Sequence, residues 1–251
     1  MSGKGGVGKT LQAVGIAASL AKNGYRVGIL DLDIRSPNLT YVLGADNSIE
    51  VDGDGTPIPK YVSIDGSSVP VFSSAMMFRD RTGIIMDGKE MQSIIGGMVH
   101  QVAWPALDYL VVDMDPSSGD SLQAITGLMR NVYAFIITTS DVSSLNDCRR
   151  MLDACKYLNI SVLGIVGNMV GVECPSCGRG LRCADCGSGV NFGDGQPIVD
   201  LAVEHHVPYV GSLPWNPKYK TDPVASVQGM GAELFGTISK IIASKPVVVS
   251  A

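Results

Sequence analysis

Gly3-Lys4-Gly5-Gly6-Val7-Gly8-Lys9-Thr10 follows the pattern G-x-x-x-x-G-K-[ST], and an Ala-rich apolar stretch of helical character comes directly after it. Glycines let a backbone turn its N–H groups inward around phosphate oxygens, and the helix that follows presents the positive end of its dipole to the same point. On this reading Gly5, Gly6, Val7, Gly8, Lys9 and Thr10 cradle a nucleoside triphosphate, with Lys9 on the β- and γ-phosphates and Thr10 on Mg²⁺. Such a loop joins a buried strand to a helix, which restricts the fold to strand–helix alternation.

The rest of the chain obeys that restriction. Nearly continuous Val, Ile and Leu runs at residues 26–31, 109–113, 132–138, 162–167 and 208–213 read as strands. Strands apolar on both faces belong in a parallel sheet covered on each side. Helical patterns at 9–23, 88–100, 121–130, 143–158, 197–205 and 231–243 supply the cover. The expected fold is α/β: a doubly wound, mostly parallel sheet with helices on both faces. One domain over 1–251 is expected, with no internal repeat, residues 46–68 as loop or a short β-excursion, and residues 170–195 as an irregular cysteine-rich insertion.

A carboxylate after a buried strand can hold Mg²⁺ through water, and Leu110-Val111-Val112-Asp113 supplies one. Residues 115–120 then form a switch that senses the γ-phosphate. Asp31 and Asp33 close the strand at 26–31, on the carboxyl edge where a doubly wound sheet binds its ligand. Asp33 is assigned to orienting the attacking water, and Asp31 to a place nearer Mg²⁺.

Cys174-Pro175-Ser176-Cys177-Gly178 and Cys183-Ala184-Asp185-Cys186-Gly187 are two Cys-x-x-Cys-Gly turns, five residues apart. Each can aim two thiolates at a metal, because glycine after the second cysteine permits a tight wrap around sulfur. Thiolates suit zinc and iron–sulfur clusters alike. Cys148 and Cys155, seven apart on one helix, read as small buried side chains. With 19 basic against 24 acidic residues and a net charge of −5, no global positive field gathers nucleic acid or anionic lipid. No apolar run is of membrane-spanning length and the first residues lack a signal-peptide core, so a cytoplasmic protein with neither a nucleic-acid nor a membrane partner is expected.

Lys4 lies outside the general loop pattern, and with it Ser2-Gly3-Lys4-Gly5-Gly6-Val7-Gly8-Lys9-Thr10 resembles the deviant P-loop class. That class includes Min and chromosome-partition ATPases, the nitrogenase iron protein, metal insertases and the Mrp/Nbp-type iron–sulfur carriers. Asp31-x-Asp33-Ile34-x-x-Pro37, Thr138-Thr139 with Ser144-Leu145 and Asp147, Asn168-Met169, Cys174-Pro175-x-Cys177-Gly178, Phe192-Gly193 and Val207-Pro208-Tyr209-Val210-Gly211 narrow the resemblance to the Mrp/Nbp-type carriers, over nearly the whole chain. The resemblance implies a homodimeric, slow ATPase in which Lys4 reaches across the dimer interface, Asn168 reads adenine and Leu213-Pro214 lies against the ring. It also implies a [4Fe–4S] cluster held between subunits by Cys174 and Cys177 and delivered to apo iron–sulfur clients. Lys4, Lys9 and Asp33 would be the catalytic set.

Cys183 and Cys186 depart from the family pattern and could complete a zinc tetrathiolate within one subunit. Asp113-Met114-Asp115-Pro116-Ser117-Ser118-Gly119-Asp120 departs from the usual second switch, Ser140-Asp141 stands where Pro-Gln is usual, and Asn216 where an aspartate is common. A positioning ATPase of the Min/Par kind, or a regulatory ATPase with a structural zinc turn, are the alternatives. Only Met1 and Ser2 precede Gly3, whereas residues 245–251, Lys-Pro-Val-Val-Val-Ser-Ala, are strand-like. The expectation is a central sheet with a hole, filled by that C-terminal segment running parallel to its neighbours.

Overall fold

The computed structural model describes residues 1–78, 87–116, 119–190, 192–221, 224, 229 and 231–245. Its elements in chain order are α1 (Lys9–Lys22), β1 (Val27–Leu32), α2 (Leu39–Leu43), β2 (Glu50–Val51), β3 (Pro57–Ile58), β4 (Lys60–Ile64), β5 (Ser67–Ser73), α3 (Ser74–Met77) and α4 (Gly88–His100). They continue with β6 (Tyr109–Met114), α5 (Asp120–Leu128), β7 (Tyr133–Thr138), α6 (Val142–Tyr157), β8 (Ser161–Val172), α7 (Gln196–Glu204), β9 (Tyr209–Trp215), α8 (Lys218–Thr221) and α9 (Ala232–Ala243).

Alternation along β1 sorts the core into two layers. Leu30 and Leu32 point to one face, where α4, α5, α6 and α7 bring Ile95, Met98, Leu122, Met151 and Ile198. Val27 and Ile29 point to the other, onto α1 and α9 through Val14, Leu20, Phe235 and Ile238. All six β1 residues are therefore buried, as expected of a strand covered twice. Helix α1 sits so close to α9 that a Cβ on Gly15 would come within 2.3 Å of the Phe235 ring.

The strand order is β4-β5-β1-β6 in one group and β7-β8-β9 in the other, with β2-β3 a separate short antiparallel pair. Except for the edge strand β4, which is antiparallel to β5, both groups are parallel. Strand β5 corrects the sequence reading, which found no strand there. Asp65 and Gly66 both take positive φ, 52° and 75°, and form the two-residue turn whose twist suits a hairpin. That turn feeds β5 back beside β1, pairing Ile29 with Val71 and Asp31 with Ser73. Serines and Pro70 within β5 interrupt the apolar run that announces the other central strands.

Among the described residues no strand pair joins β6 to β7. Met1 lies along β7, its amine donating to the Phe135 carbonyl at 2.7 Å and its carbonyl accepting from Ile137 N–H at 2.8 Å. The place of the first strand thus holds Met1 and Ser2, which carry the chain straight into the glycine loop. Residues 246–251, expected in that place, lie outside the described residues.

Candidate functional site

Loop and helix meet at Gly8, the residue before α1, with φ 94°; Gly6 has φ 78°. Both values lie in the left-handed region that glycine enters without a steric cost. Gly8 is required a second time, since a Cβ there would sit 2.2 Å from the amide nitrogen of Asn168. That amide donates to the Val7 carbonyl at 2.8 Å, so β8 braces the loop from below. Sequence reasoning placed Asn168 at a purine edge; the bond to Val7 is a contact it had no signal to find. Lys9 Nζ curls over the loop, 3.4 Å from the Lys4 carbonyl.

Thr10 and Asp113 come together as the motif requires: Thr10 Oγ1 donates to Asp113 Oδ2 at 2.6 Å. The other oxygen, Asp113 Oδ1, is buried without a hydrogen-bond partner. A buried, unshared carboxylate oxygen beside a threonine hydroxyl and a lysine fits a hydrated Mg²⁺ ion. Burial lifts the Asp113 carboxyl above its ordinary range, opposed by the Thr10 bond and the charge of Lys9.

Asp31 is the Cα partner of Asp113 across β1 and β6 and is fully buried. Its oxygens are already shared: Oδ1 accepts from Asp33 N–H at 3.0 Å, and Oδ2 from Ser73 Oγ at 2.9 Å and Leu39 N–H at 3.3 Å. Burial first, and the neighbouring Asp113 second, push its carboxyl up to about 7. Of the two carboxylates expected near Mg²⁺, Asp113 has the open oxygen, while Asp31 ties β1, β5 and α2 together. Asp33 stands at the rim, half-buried, accepting from Ser36 N–H at 3.0 Å, with its carboxyl raised by burial. Asp115 is buried beside this cluster; Ser117 and Ser118 of the expected switch lie outside the described residues.

Lys4 forms an ion pair within its own chain, Nζ to Asp141 Oδ1 at 2.9 Å. Asp141 also caps α6, accepting from Ser144 N–H at 3.0 Å. Hydrogen bonds from the Thr139 hydroxyl and from Lys4 hold its carboxyl down at about 2. The departure from Pro-Gln therefore supplies Lys4 with an anion. Pro214 follows Leu213, the Cα partner of Asn168 on the adjacent strand β9.

Strand β8 ends at Val172 and the chain enters two tight turns. In the first, Cys174 N–H donates to Arg179 O at 2.9 Å and Gly178 N–H to Cys174 O at 2.9 Å. In the second, Cys183 N–H donates to Ser188 O at 2.7 Å and Gly187 N–H to Cys183 O at 3.0 Å. Bridges Glu173–Gly180 and Arg182–Gly189 close the two hairpins. Cys174 and Cys183 are half-buried; Cys177 and Cys186 are exposed. Backbone N–H groups of the turn, that of Cys177 foremost, lower the Cys174 thiol, and the Ser188 hydroxyl does the same for Cys186. Among the described residues no three Cys, His, Asp or Glu side chains converge on one point, so the four cysteines do not meet as a single intrachain tetrathiolate. Cys148 and Cys155 are buried in α6, and burial raises their thiols to about 12 and about 11.

A glycine loop between Met1 and α1, with Thr10 on a strand-end aspartate at the carboxyl edge of a parallel sheet, defines a P-loop NTPase. The family profile described as "ParA: NUBPL iron-transfer P-loop NTPase" matches residues 1–233, and the chain belongs to that family. A protein of Drosophila melanogaster named cytosolic Fe-S cluster assembly factor Nubp2 homolog is 32% identical over 222 residues, 87% of this chain and 82% of that protein. The Aedes aegypti protein of the same name is 31% identical over the same length and shares. In three dimensions the chain resembles a nucleotide-binding protein from Archaeoglobus fulgidus solved with ADP, with TM-score 0.68, 24% identity, and 98% of this chain and 87% of that one covered. It likewise resembles the septum site-determining protein MinD of Pyrococcus horikoshii solved with Mg-ADP, with TM-score 0.62, 15% identity, and 97% and 94% covered. These likenesses agree with the doubly wound fold and with the carrier family read from the motifs.

Proposed function

We propose that the protein is an ATP-hydrolysing carrier or assembly factor for iron–sulfur clusters, acting in the cytoplasm as a nucleotide-gated homodimer that delivers to apo iron–sulfur proteins. The observation that carries this reading is that one strand reaches both places: Asn168 on β8 braces the Val7 carbonyl of the phosphate loop, and the same strand ends two residues before Cys174. Between Asn168 and Val172 the strand bulges, with Met169 and Gly171 in the left-handed region, so phosphate loop and cysteine turn are joined by a short irregular stretch.

In this reading the loop N–H groups and Lys9 hold the phosphates, and Thr10 and Asp113 hold Mg²⁺, which neutralises charge building on the transferring phosphoryl group. Asp33, at the rim and with a raised carboxyl, orients the attacking water. Lys4 leaves Asp141 to meet the phosphates of the partner subunit's nucleotide. Cys174 and Cys177, presented by a turn that favours the thiolate, bind the [4Fe–4S] cargo together with the same pair of the second subunit. Stacking β9 against β8 puts Pro214 within one strand spacing of Asn168, consistent with a base lying at that edge.

The test uses anaerobically purified protein. Lys9→Ala is expected to abolish ATP turnover with the circular dichroism spectrum unchanged, and Cys174→Ala with Cys177→Ala to abolish reconstitution of about four irons and four sulfides per dimer. Undiminished turnover in the first variant, or undiminished iron in the second, would reject the corresponding assignment.

A further inference from the structure

Residues 173–181 and 182–190 are two copies of one nine-residue unit built on the two Cys-x-x-Cys-Gly turns, which corrects the expectation of no internal repeat. Cys174-x-x-Cys177-Gly178-x-Gly180-Leu181 recurs as Cys183-x-x-Cys186-Gly187-x-Gly189-Val190. Backbone geometry repeats with the letters. Gly178 and Gly187 have φ 69° and 70°, and the closing bonds Leu181 N–H to Val172 O and Val190 N–H to Leu181 O are both 2.8 Å.

The second hairpin begins where the first one ends, so the two cysteine turns stand at opposite ends of the shared segment 179–183. Two sulfurs on one zinc ion, at about 2.3 Å each, can be no more than about 4.6 Å apart. With both hairpins closed by the bridges Glu173–Gly180 and Arg182–Gly189, no three of the cysteines are grouped closely enough to hold one ion. Each turn offers two thiolates, half of what a tetrathiolate ion needs.

We infer that Cys183 and Cys186 form a second half-site for a thiophilic divalent ion, separate from Cys174 and Cys177 and completed by the same pair of a second copy of this chain. The inference rests on the homodimer proposed above. A two-fold axis that pairs Cys174 and Cys177 with their copies passes beside the unit that directly follows them in sequence, and a short repeat whose units are alike in sequence and backbone presents like pairs twice. The dimer then holds two thiolate centres, one of them for cluster cargo and the other for an ion that fastens the subunits.

Cobalt(II) titration of the full chain under anaerobic conditions tests this, because cobalt reports tetrathiolate ligation by its visible and charge-transfer bands. Cys174→Ala/Cys177→Ala and Cys183→Ala/Cys186→Ala are each expected to retain one tetrathiolate cobalt per two chains, against two in the parent, with circular dichroism unchanged. Loss of all tetrathiolate cobalt in both variants would mean a single four-cysteine site and overturn the inference. So would a Cys174→Ala/Cys177→Ala chain that binds none, or binds one ion per chain through two thiolates only. Failure in that variant leaves the cargo pair Cys174 and Cys177 untouched, whereas loss confined to Cys183→Ala/Cys186→Ala would tell against the cargo pair itself.

Discussion

Asp31 and Asp113, side by side at the end of β1 and β6, carry the chemistry with the clearest pH signature. The folded Asp31 carboxyl titrates near 7, against 3.8 for an ordinary one. A raised carboxyl pKa means that the folded chain holds a proton which the unfolded chain releases, so its stabilising contribution is full below about 4 and is lost as pH rises towards 7. Without Mg²⁺ or nucleotide the thermal midpoint is expected to fall over that window, and Asp31→Asn should flatten the fall and stabilise the chain at pH 7 by on the order of 2 kcal/mol. A midpoint that rises with pH in the parent and stays unaltered by the substitution would contradict the pairing. The residues that conduct this chemistry were legible, since loop pattern and strand-end aspartates are local signals. The contacts of Ser73 with Asp31 and of Asn168 with Val7 were not, because each is brought in by a strand more than forty positions away in sequence from the group it touches.

Helix α6 begins at Asp141, which caps Ser144 N–H and pairs with Lys4 at once. Both side chains of the ion pair are about two-fifths exposed, so its own contribution is small, below about 1 kcal/mol, while a lost cap costs about 1 kcal/mol or more. Asp141→Asn keeps the cap and should change stability little; Asp141→Ala should cost about 1–2 kcal/mol by urea denaturation. Equal losses in the two variants would assign the energy to the charge. At the α1–α9 contact, Gly15→Ala forces a methyl group into the Phe235 ring and is expected to cost about 1–3 kcal/mol, partly recovered by Phe235→Leu. A fully additive double variant would show that the two do not touch. Elements with continuous apolar runs, such as β1 and β8, were readable from sequence; β5 escaped because Pro70 and three serines hide a strand whose burial comes from β1 and the hairpin turn.

For the molecule as a whole, the proposed function requires that the phosphate loop braced at Asn168 and the cysteine turn beyond Val172 be judged as one system. Coupling between them is reciprocal: whatever factor cluster loading applies to nucleotide affinity, nucleotide applies to cluster affinity. Titrations of ADP or a non-hydrolysable ATP analogue with and without reconstituted cluster are expected to differ by roughly 5- to 150-fold. Identical affinities would separate the two sites. The layering and the mostly parallel sheet followed from the alternation of apolar runs with helical patterns, whereas the strand order and the dual hairpin of the cysteine segment did not, since β5 left no apolar run and the nine-residue period is too short and too polar to leave an amphipathic trace.

The fit between Gly8 and Asn168, where a Cβ would stand 2.2 Å from the amide nitrogen, leaves the phosphate loop and β8 dovetailed with no slack. Sliding β8 by an ångström away from the loop must either drag Val7 along or break its 2.8 Å bond to Asn168. On the proposed coupling this joint is the latch: a pull from the sulfur side would have to pass the bulge at Met169 and Gly171 before it registered at the glycines.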